Sequence, residues 1–209
     1  MKLIDKLCTI ANDNSIEYCK SYIEYNAVCD LTILLFQQHL LSEDFFIENE
    51  KELQKYCIFY NVSDMHDGII FVDNADINVY GRTLCYAINN SVIRAYDDSN
   101  VQIYDCSCCY SHDEAWVRCF NNSTCYSWNL STVLAYDTSS IKTYGAMKVS
   151  TYDNAVAYIC KSCNKIDVDA HNSSMIINWG YKSVINCFDE KEGCAKNRHT
   201  PRKLNFPVF

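Results

Sequence analysis

The chain has 209 residues, 49% of them hydrophobic, so it can bury one large core or two small ones. Its formal net charge of -8 argues against a nucleic-acid-binding surface, which needs a basic face. No apolar run reaches the roughly 18 residues of a membrane span, and Asp5 and Lys6 interrupt any export signal. We therefore expect a cytoplasmic protein that contacts neither a membrane nor nucleic acid, with mainly reduced cysteines.

Residues 1–66 carry a helical pattern. Apolar residues recur at helical spacing in three segments, which are residues 3–8, 28–41 and 43–56. Asn14, with Glu17 three residues later, fits a capping box that opens a further helix. The pattern predicts a small helical region that caps one end of the domain that follows.

From residue 67 the chain changes to an eight-residue repeat. Thirteen octads run to residue 170 without an insertion, among them TLCYAINN, SVIRAYDD and STVLAYDT. Position one is small, positions three and five are mostly small, β-branched or Cys, and position six is usually aromatic. Positions seven and eight are usually Asp, Asn or Gly, which tolerate the left-handed backbone of tight turns. Because alternate residues share one face of a strand, each octad predicts one short strand and one turn.

Two octads make one predicted coil, because like residues recur every sixteen positions. One column at position three contains Val101, Val117, Val133 and Val149, and the other contains Ile77, Ile93, Cys109, Cys125 and Ile141. A coil of three octads would mix these columns. The pattern therefore predicts a mainly β fold: a flattened parallel β-solenoid over residues 67–170, between the helical cap 1–66 and a C-terminal cap with a basic tail at 171–209.

The unit Ser/Ala-x-Val-x-Ala-Tyr-Asp-Asn resembles the octad arrays of uncharacterised phage and prophage proteins. The sixteen-residue coil is similar to that of bacterial ice-nucleation proteins. The first resemblance implies a phage-encoded protein, and the second implies the fold alone. Ice binding is not expected, because the chain lacks the Thr-x-Thr rows that ice-binding solenoids present.

Aromatic residues at position six form two predicted columns, one on each side of the solenoid. One contains Tyr80, Tyr96, His112, Trp128 and Tyr144, and the other contains Tyr104, Phe120, Tyr136 and Tyr152. Tyr110 and Tyr126, at position four, widen the first column. Stacked rings stabilise a solenoid by themselves, while an exposed aromatic stripe also suits a partner-binding or self-association face. The predicted binding face consists of Tyr80, Tyr96, Tyr110, Tyr126, Trp128 and Tyr144.

Acidic residues at position seven form a predicted row along one edge of the solenoid. Its carboxylates are Asp73, Asp105, Asp137, Asp153 and Asp169, with Asn89 and Asn121 between them. Asp and Asn are ordinary turn residues. A row of carboxylates could alternatively imitate a phosphate backbone or meet a basic groove of a partner, so both readings stay open.

The cysteines divide into two groups. Cys85, Cys109, Cys119 and Cys125 occupy inward positions of the octads and are expected to be small core residues. Cys160 and Cys163 have the spacing of structural zinc ligands, and Cys187 and Cys194 could complete a weak zinc set. The second pair is poorly spaced, and the first also fits the octad register. We expect no resident cofactor.

Three functional hypotheses follow from these patterns. The first is a non-enzymatic protein-binding solenoid, such as a phage-encoded inhibitor of a host defence protein of anti-CRISPR or anti-restriction type. The chain has no Gly-x-Ser-x-Gly, His-Glu-x-x-His or phosphate-binding glycine loop, which favours binding over catalysis. The second is a structural or adhesive virion or tail protein, and the third is a zinc-containing enzyme or binding module. The partner would be a host protein or a second copy, in a homodimer through the aromatic face.

Overall fold

A computed structural model describes residues 1–18, 24–160, 166–179 and 183–188. Three helices come first: α1 (Leu3–Asp13), α2 (Glu24–Gln37) and α3 (Glu43–Gln54). The Ser42 hydroxyl caps α3 by accepting from the backbone N–H of Phe45 at 3.3 Å. Glu43 and Asp44 in its first turn complement the helix dipole. None of the described helices combines the length and apolarity needed to cross a bilayer.

The predicted capping box at Asn14 is wrong. Asn14 ends α1 instead, and its side-chain amide donates to the Ile10 carbonyl at 2.9 Å. Ser15 then adopts a φ of 56°, which reverses the chain and lets Ile16 N–H reach the Ala11 carbonyl at 2.8 Å. Residues 14–18 are therefore not helical, and the rest of the predicted helix, residues 19–23, lies outside the described residues.

Short strands fill the remainder of the described chain. They are β1 (Ile58–Tyr60), β2 (Asp64–Met65), β3 (Ile69–Asp73), β4 (Asp76–Val79), β5 (Leu84–Ile88), β6 (Val92–Ala95), β7 (Asn100–Ile103), β8 (Cys108–Ser111), β9 (Trp116–Cys119), β10 (Thr124–Ser127), β11 (Thr132–Ala135), β12 (Ser140–Thr143), β13 (Lys148–Thr151), β14 (Val156–Ile159), β15 (Ile166–His171), β16 (Met175–Asn178) and β17 (Ser183–Phe188). Odd-numbered strands form the nine-stranded sheet A and even-numbered strands the eight-stranded sheet B. Neighbours in each sheet are parallel, so the predicted flattened parallel solenoid with helices before it is confirmed.

The sixteen-residue coil holds through the middle of the solenoid. Val101 pairs with Val117 in sheet A, and Cys109 pairs with Cys125 in sheet B. Serine at position one explains how the turns close: the buried Ser139 hydroxyl donates to the Tyr136 carbonyl, three residues back, at 2.6 Å. Small inward residues fit the thin interior between the sheets, which is one continuous apolar core.

The prediction of thirteen uninterrupted octads is wrong at both ends. Ile70 pairs with Cys85, one residue short of a full coil, so Ile70 and Val72 point inward in β3. Val149 pairs with Val168, three residues beyond a full coil. The paired strands also begin before residue 67 and continue after residue 170, because β1, β2, β16 and β17 all join the sheets.

The three helices lie on the outer face of the first strands of sheet A. Phe71 points outward from β3 and packs between Phe36 and Phe46, with ring centroids 4.8 and 5.6 Å away. Tyr86 and Ile88 on β5 belong to the same apolar cluster. The helices and the sheet thus share a second core, separate from the solenoid interior.

Candidate interaction surfaces

Aromatic rings stack along the edge where the strands of sheet B end. The members of this sheet B ladder are, in order, His66, Tyr80, Tyr96, His112, Trp128 and Tyr144. Successive ring centroids lie 4.8, 5.0, 5.2, 4.9 and 5.3 Å apart, with interplanar angles of 16° or less. The predicted column is confirmed, and His66 extends it. The repeat pattern did not predict His66, because this residue lies just before the first octad.

The backbone sets the spacing of this ladder. Tyr96 N–H donates to the Val79 carbonyl, and Trp128 N–H donates to the Ser111 carbonyl, both at 3.0 Å. Equivalent residues are therefore about 4.8 Å apart, one strand spacing, which suits stacked rings. Because each inner ring is covered by its neighbours, the ladder presents ring edges and hydroxyl groups, rather than ring faces, to a partner.

A second column widens the ladder at its centre. Tyr110 and Tyr126 stack at 5.2 Å, and their rings lie 6.3 and 6.5 Å from Trp128. Lys142 places its ammonium 5.2 Å from the centre of the Tyr126 ring. Arg94 lies on the other side and forms an ion pair with Asp76. The structure thus puts all six predicted binding residues on the outer side of sheet B, with three of them in one central cluster.

The corresponding sheet A ladder is tied to the helices. It contains Tyr104, Phe120, Tyr136, Tyr152 and His171, with centroids 4.8, 5.0, 4.8 and 4.4 Å apart. The Tyr104 hydroxyl accepts a hydrogen bond from Gln37 on α2 and donates one to Gln102, both at 2.8 Å. Burial of this ring raises the pKa of Tyr104. One end of the sheet A ladder is therefore engaged within the molecule.

The acidic row is a hydrogen-bonding element of the turns. Asp105, Asp137 and Asp153 have φ values of 58°, 57° and 56°. The Asp105 carboxylate accepts from the backbone N–H of Asn89, one coil earlier, at 3.0 Å, and Asp137 accepts from that of Asn121 at 2.9 Å. Asp153 receives a longer bond of 3.5 Å from Asp137 N–H. Each of these three carboxylates thus links two neighbouring turns.

The other two predicted acidic-row residues occupy different positions. Asp73 ends β3 and accepts a hydrogen bond from the Asn89 side chain at 2.6 Å, while Asn74 takes the positive φ of 50°. Asp169 does not belong to the turn row, because the longer coil before it shifts the register. Asn172 takes that turn position, with a φ of 56°, and its amide donates to the Asp153 carboxylate at 3.2 Å.

Asp169 instead lies within β15 and faces outward. It pairs with Lys148 at 2.9 Å and accepts a hydrogen bond from Asn186 at 3.0 Å. Burial opposes ionisation of this carboxyl, but the bonds from Asn186 and Lys148 outweigh that effect and lower the pKa of Asp169. Its role is to join strands β13, β15 and β17.

The four cysteines predicted to be inward are fully buried. They are Cys85, Cys109, Cys119 and Cys125. Burial raises the pKa of the Cys85, Cys109 and Cys119 thiols, so they are poor nucleophiles. The prediction that they are core residues is confirmed.

The predicted zinc set falls only partly within the described residues. Cys160 follows β14, next to Tyr144 in the ladder column, whereas Cys187 lies near the end of β17 in sheet A. Strands of the two sheets run in opposite directions, so these two backbones are at opposite edges of the coil. Cys163 and Cys194 lie outside the described residues. Within the described ranges, no group of three or more His, Cys, Asp or Glu residues is arranged to hold a metal ion.

No protein-family model, curated protein or solved structure matches this chain. Its fold is identified as a parallel β-solenoid from the strand order and pairing alone.

Proposed function

We propose that this chain is a non-enzymatic binding protein whose sheet B face docks onto a partner protein. The observation that carries this proposal is the central cluster of Tyr110, Tyr126 and Trp128. Its rings are only partly buried, and no described helix or loop packs over them. The outer face of the first strands of sheet A, by contrast, is covered by the helices.

The chemistry of the cluster suits an interface. Tyrosine, tryptophan and arginine are enriched at protein–protein interfaces and contribute much of the binding energy there. Stacking already orders these rings in the free protein, so they would lose less side-chain entropy when a partner docks. Arg94 and Lys142 add hydrogen-bond donors at the rim of the cluster.

The finer proposal is an inhibitor that occupies a functional surface of a host protein in the cytoplasm. It is supported by the net charge of -8, by the two continuous parallel sheets of the solenoid and by the resemblance of the octads to phage arrays. Such an inhibitor would be of anti-CRISPR or anti-restriction type, and the host defence protein that it binds would offer a basic groove to the acidic solenoid. The proposed contact involves neither nucleic acid nor a membrane.

Affinity capture from the host with two matched triple variants tests this proposal. The first carries Tyr110→Ala, Tyr126→Ala and Trp128→Ala on sheet B. The second carries Phe120→Ala, Tyr136→Ala and Tyr152→Ala in the sheet A ladder. We expect a specific partner to bind the parent chain and the second variant but not the first, with circular dichroism showing that both remain folded. Equal loss from both variants would mean that the sheet B face is not the binding surface.

Self-association through the same face is the second candidate, because the ladder repeats at a constant spacing and could meet a copy of itself. Light scattering separates the two: a dimeric parent with a monomeric sheet B variant would assign the face to a homodimer. The virion-associated and zinc-containing alternatives stay predictions, although the positions of Cys160 and Cys187 at opposite edges of the coil count against a zinc site that uses both.

A further inference from the structure

The first strand of sheet A has one edge without a partner among the described strands. β1 ends the sheet and pairs with β3 alone. The bonds to β3 use the Cys57 carbonyl, which accepts from Ile69 N–H at 2.9 Å, and Asn61 N–H, which donates to the Phe71 carbonyl at 3.0 Å. Backbone groups of alternate residues face the same neighbour. Those of Ile58 and Tyr60 therefore point away from the sheet.

A cavity of about 230 Å³ runs along this free edge. Ile58 and Tyr60 pack toward the helices, whereas Phe59 packs toward the solenoid interior. Side chains of consecutive strand residues point to opposite faces. A cavity that touches all three residues must therefore lie beside the strand edge, rather than over one face of the sheet.

Helix α3 forms the opposite wall of this cavity. It contributes Phe46, Ile47, Glu50, Leu53 and Gln54, and Val62 closes the end beyond β1. Ile47 and Val62 are 63% and 39% exposed, so the entrance presents two apolar side chains beside the exposed Glu50 and Gln54. The helix itself has five acidic residues and one basic residue. The result is a groove between the β1 edge that no described strand pairs with and an acidic helix, here called the β1 groove.

We infer that the β1 groove binds an extended segment of a partner protein, which adds a strand to sheet A. An unpaired strand edge offers N–H and C=O groups that only an extended backbone can satisfy in series. The cavity would hold one apolar side chain of that segment, and Glu50 would meet a basic residue beside it. This surface is distinct from the sheet B face, so either site can fail a test without the other.

The acidic helix argues against a second copy of this chain as the occupant. Two β1 edges brought together would place two acidic α3 helices side by side, and like charges that face each other across an interface are unfavourable. A basic, apolar segment has the complementary charge.

Amide hydrogen exchange on the full chain tests this inference. The probe is the synthetic peptide Lys-Val-Thr-Val-Thr-Val-Lys, and its control has the same charge but carries proline in place of both threonines and the valine between them, which removes N–H groups from both edges of the strand. We expect the probe to slow exchange at Ile58 and Tyr60, while the proline control does not. The substitution Ile47→Gln, which removes the apolar side chain without adding a charge, should weaken binding at least about tenfold. The matched variant Met147→Gln, at a position on a turn of the solenoid that is 55% exposed, should leave binding unchanged.

Three results would overturn the inference. One is no slowing of exchange at up to about 1 mM probe, and another is equal binding of the proline control. The third is slow exchange at Ile58 and Tyr60 in the free chain. If dilution abolishes that protection, a second copy occupies the edge, and if dilution does not change it, a segment of the same chain does.

Discussion

Two equivalent pairs of aromatic rings have opposite surroundings in this molecule. Phe71 lies directly opposite Tyr86 on sheet A, and Tyr110 lies directly opposite Tyr126 on sheet B. Ring centroids are 5.6 Å apart in the first pair and 5.2 Å in the second. The helices cover the sheet A pair, where Phe71 is fully buried, whereas the sheet B pair stays partly exposed.

Outward-facing aromatic rings of the solenoid thus have two different roles. On sheet A, outward aromatic rings attach the helices to the solenoid and contribute to folding. On sheet B, outward rings stack only with each other and with cations, and remain accessible to a partner. Outward-facing aromatic residues in the middle of a strand therefore stabilise the chain on one face and are available for binding on the other.

The largest expected difference in stability is between two variants that each lose one ring, Phe71→Ala on sheet A and Tyr126→Ala on sheet B. Phe71→Ala leaves a cavity among Phe36, Phe46 and Tyr86, and we expect it to lower the free energy of unfolding by about 3–5 kcal/mol. Tyr126→Ala removes only a stacked surface ring and should cost about 1 kcal/mol or less. Urea denaturation of both variants measures the difference. Similar decreases in the free energy of unfolding for both variants would show that burial under the helices does not make Phe71 more stabilising than Tyr126.

A smaller effect is expected in the turns of the acidic row. Asp137→Ala removes the acceptor for Asn121 N–H and puts alanine at a φ of 57°, so it should cost about 1–3 kcal/mol. Asp137→Asn keeps an acceptor oxygen and tolerates this backbone, and should cost less than about 0.5 kcal/mol. Thermal unfolding compares them. A costly Asn variant would mean that the negative charge itself stabilises the turn.

Alkaline pH should weaken the helix-covered face. Burial, followed by the charges of Asp73 and Glu43, raises the pKa of Tyr60 to about 12. Its unfolded pKa is about 10, so the neutral ring contributes stability that is complete below pH ~10 and is lost as the pH rises toward ~12. In Tyr60→Phe, stability should fall less steeply over this range, as measured by denaturation at fixed pH values. An unchanged slope would assign the alkaline loss to other groups.

The smallest expected effect concerns one cation on each sheet. Arg118 lies 4.3 Å from the centre of the Trp116 ring on sheet A, and Lys142 lies 5.2 Å from that of Tyr126 on sheet B. Both rings are solvent-accessible, so Arg118→Ala and Lys142→Ala should each lower stability by about 0.5–1 kcal/mol. Only Lys142→Ala should also weaken partner capture. Weaker capture with Arg118→Ala would move the proposed interface toward sheet A.

The regular part of the solenoid was predictable because its repeat is strict. Small residues at positions one, three and five allow only a thin interior, and the sixteen-residue recurrence of Val101 and Val117 places like residues on neighbouring strands. The aromatic columns follow from the same register. The first and last coils were not predictable, because Ile70 and Val168 leave the octad frame by one and three residues.

In the regular coils, local pattern alone determined the strands, the turns and the two ring ladders, since each depends on residues one coil apart. Tertiary structure decided which face stays open, because the apolar face of the helices could in principle pack on either sheet. Phe71 settles this: the register shift at β3 turns it outward on sheet A, where Phe36 and Phe46 bury it. Tertiary packing also created the β1 groove, because α3 lies beside the edge of β1 only after the helices have packed on sheet A.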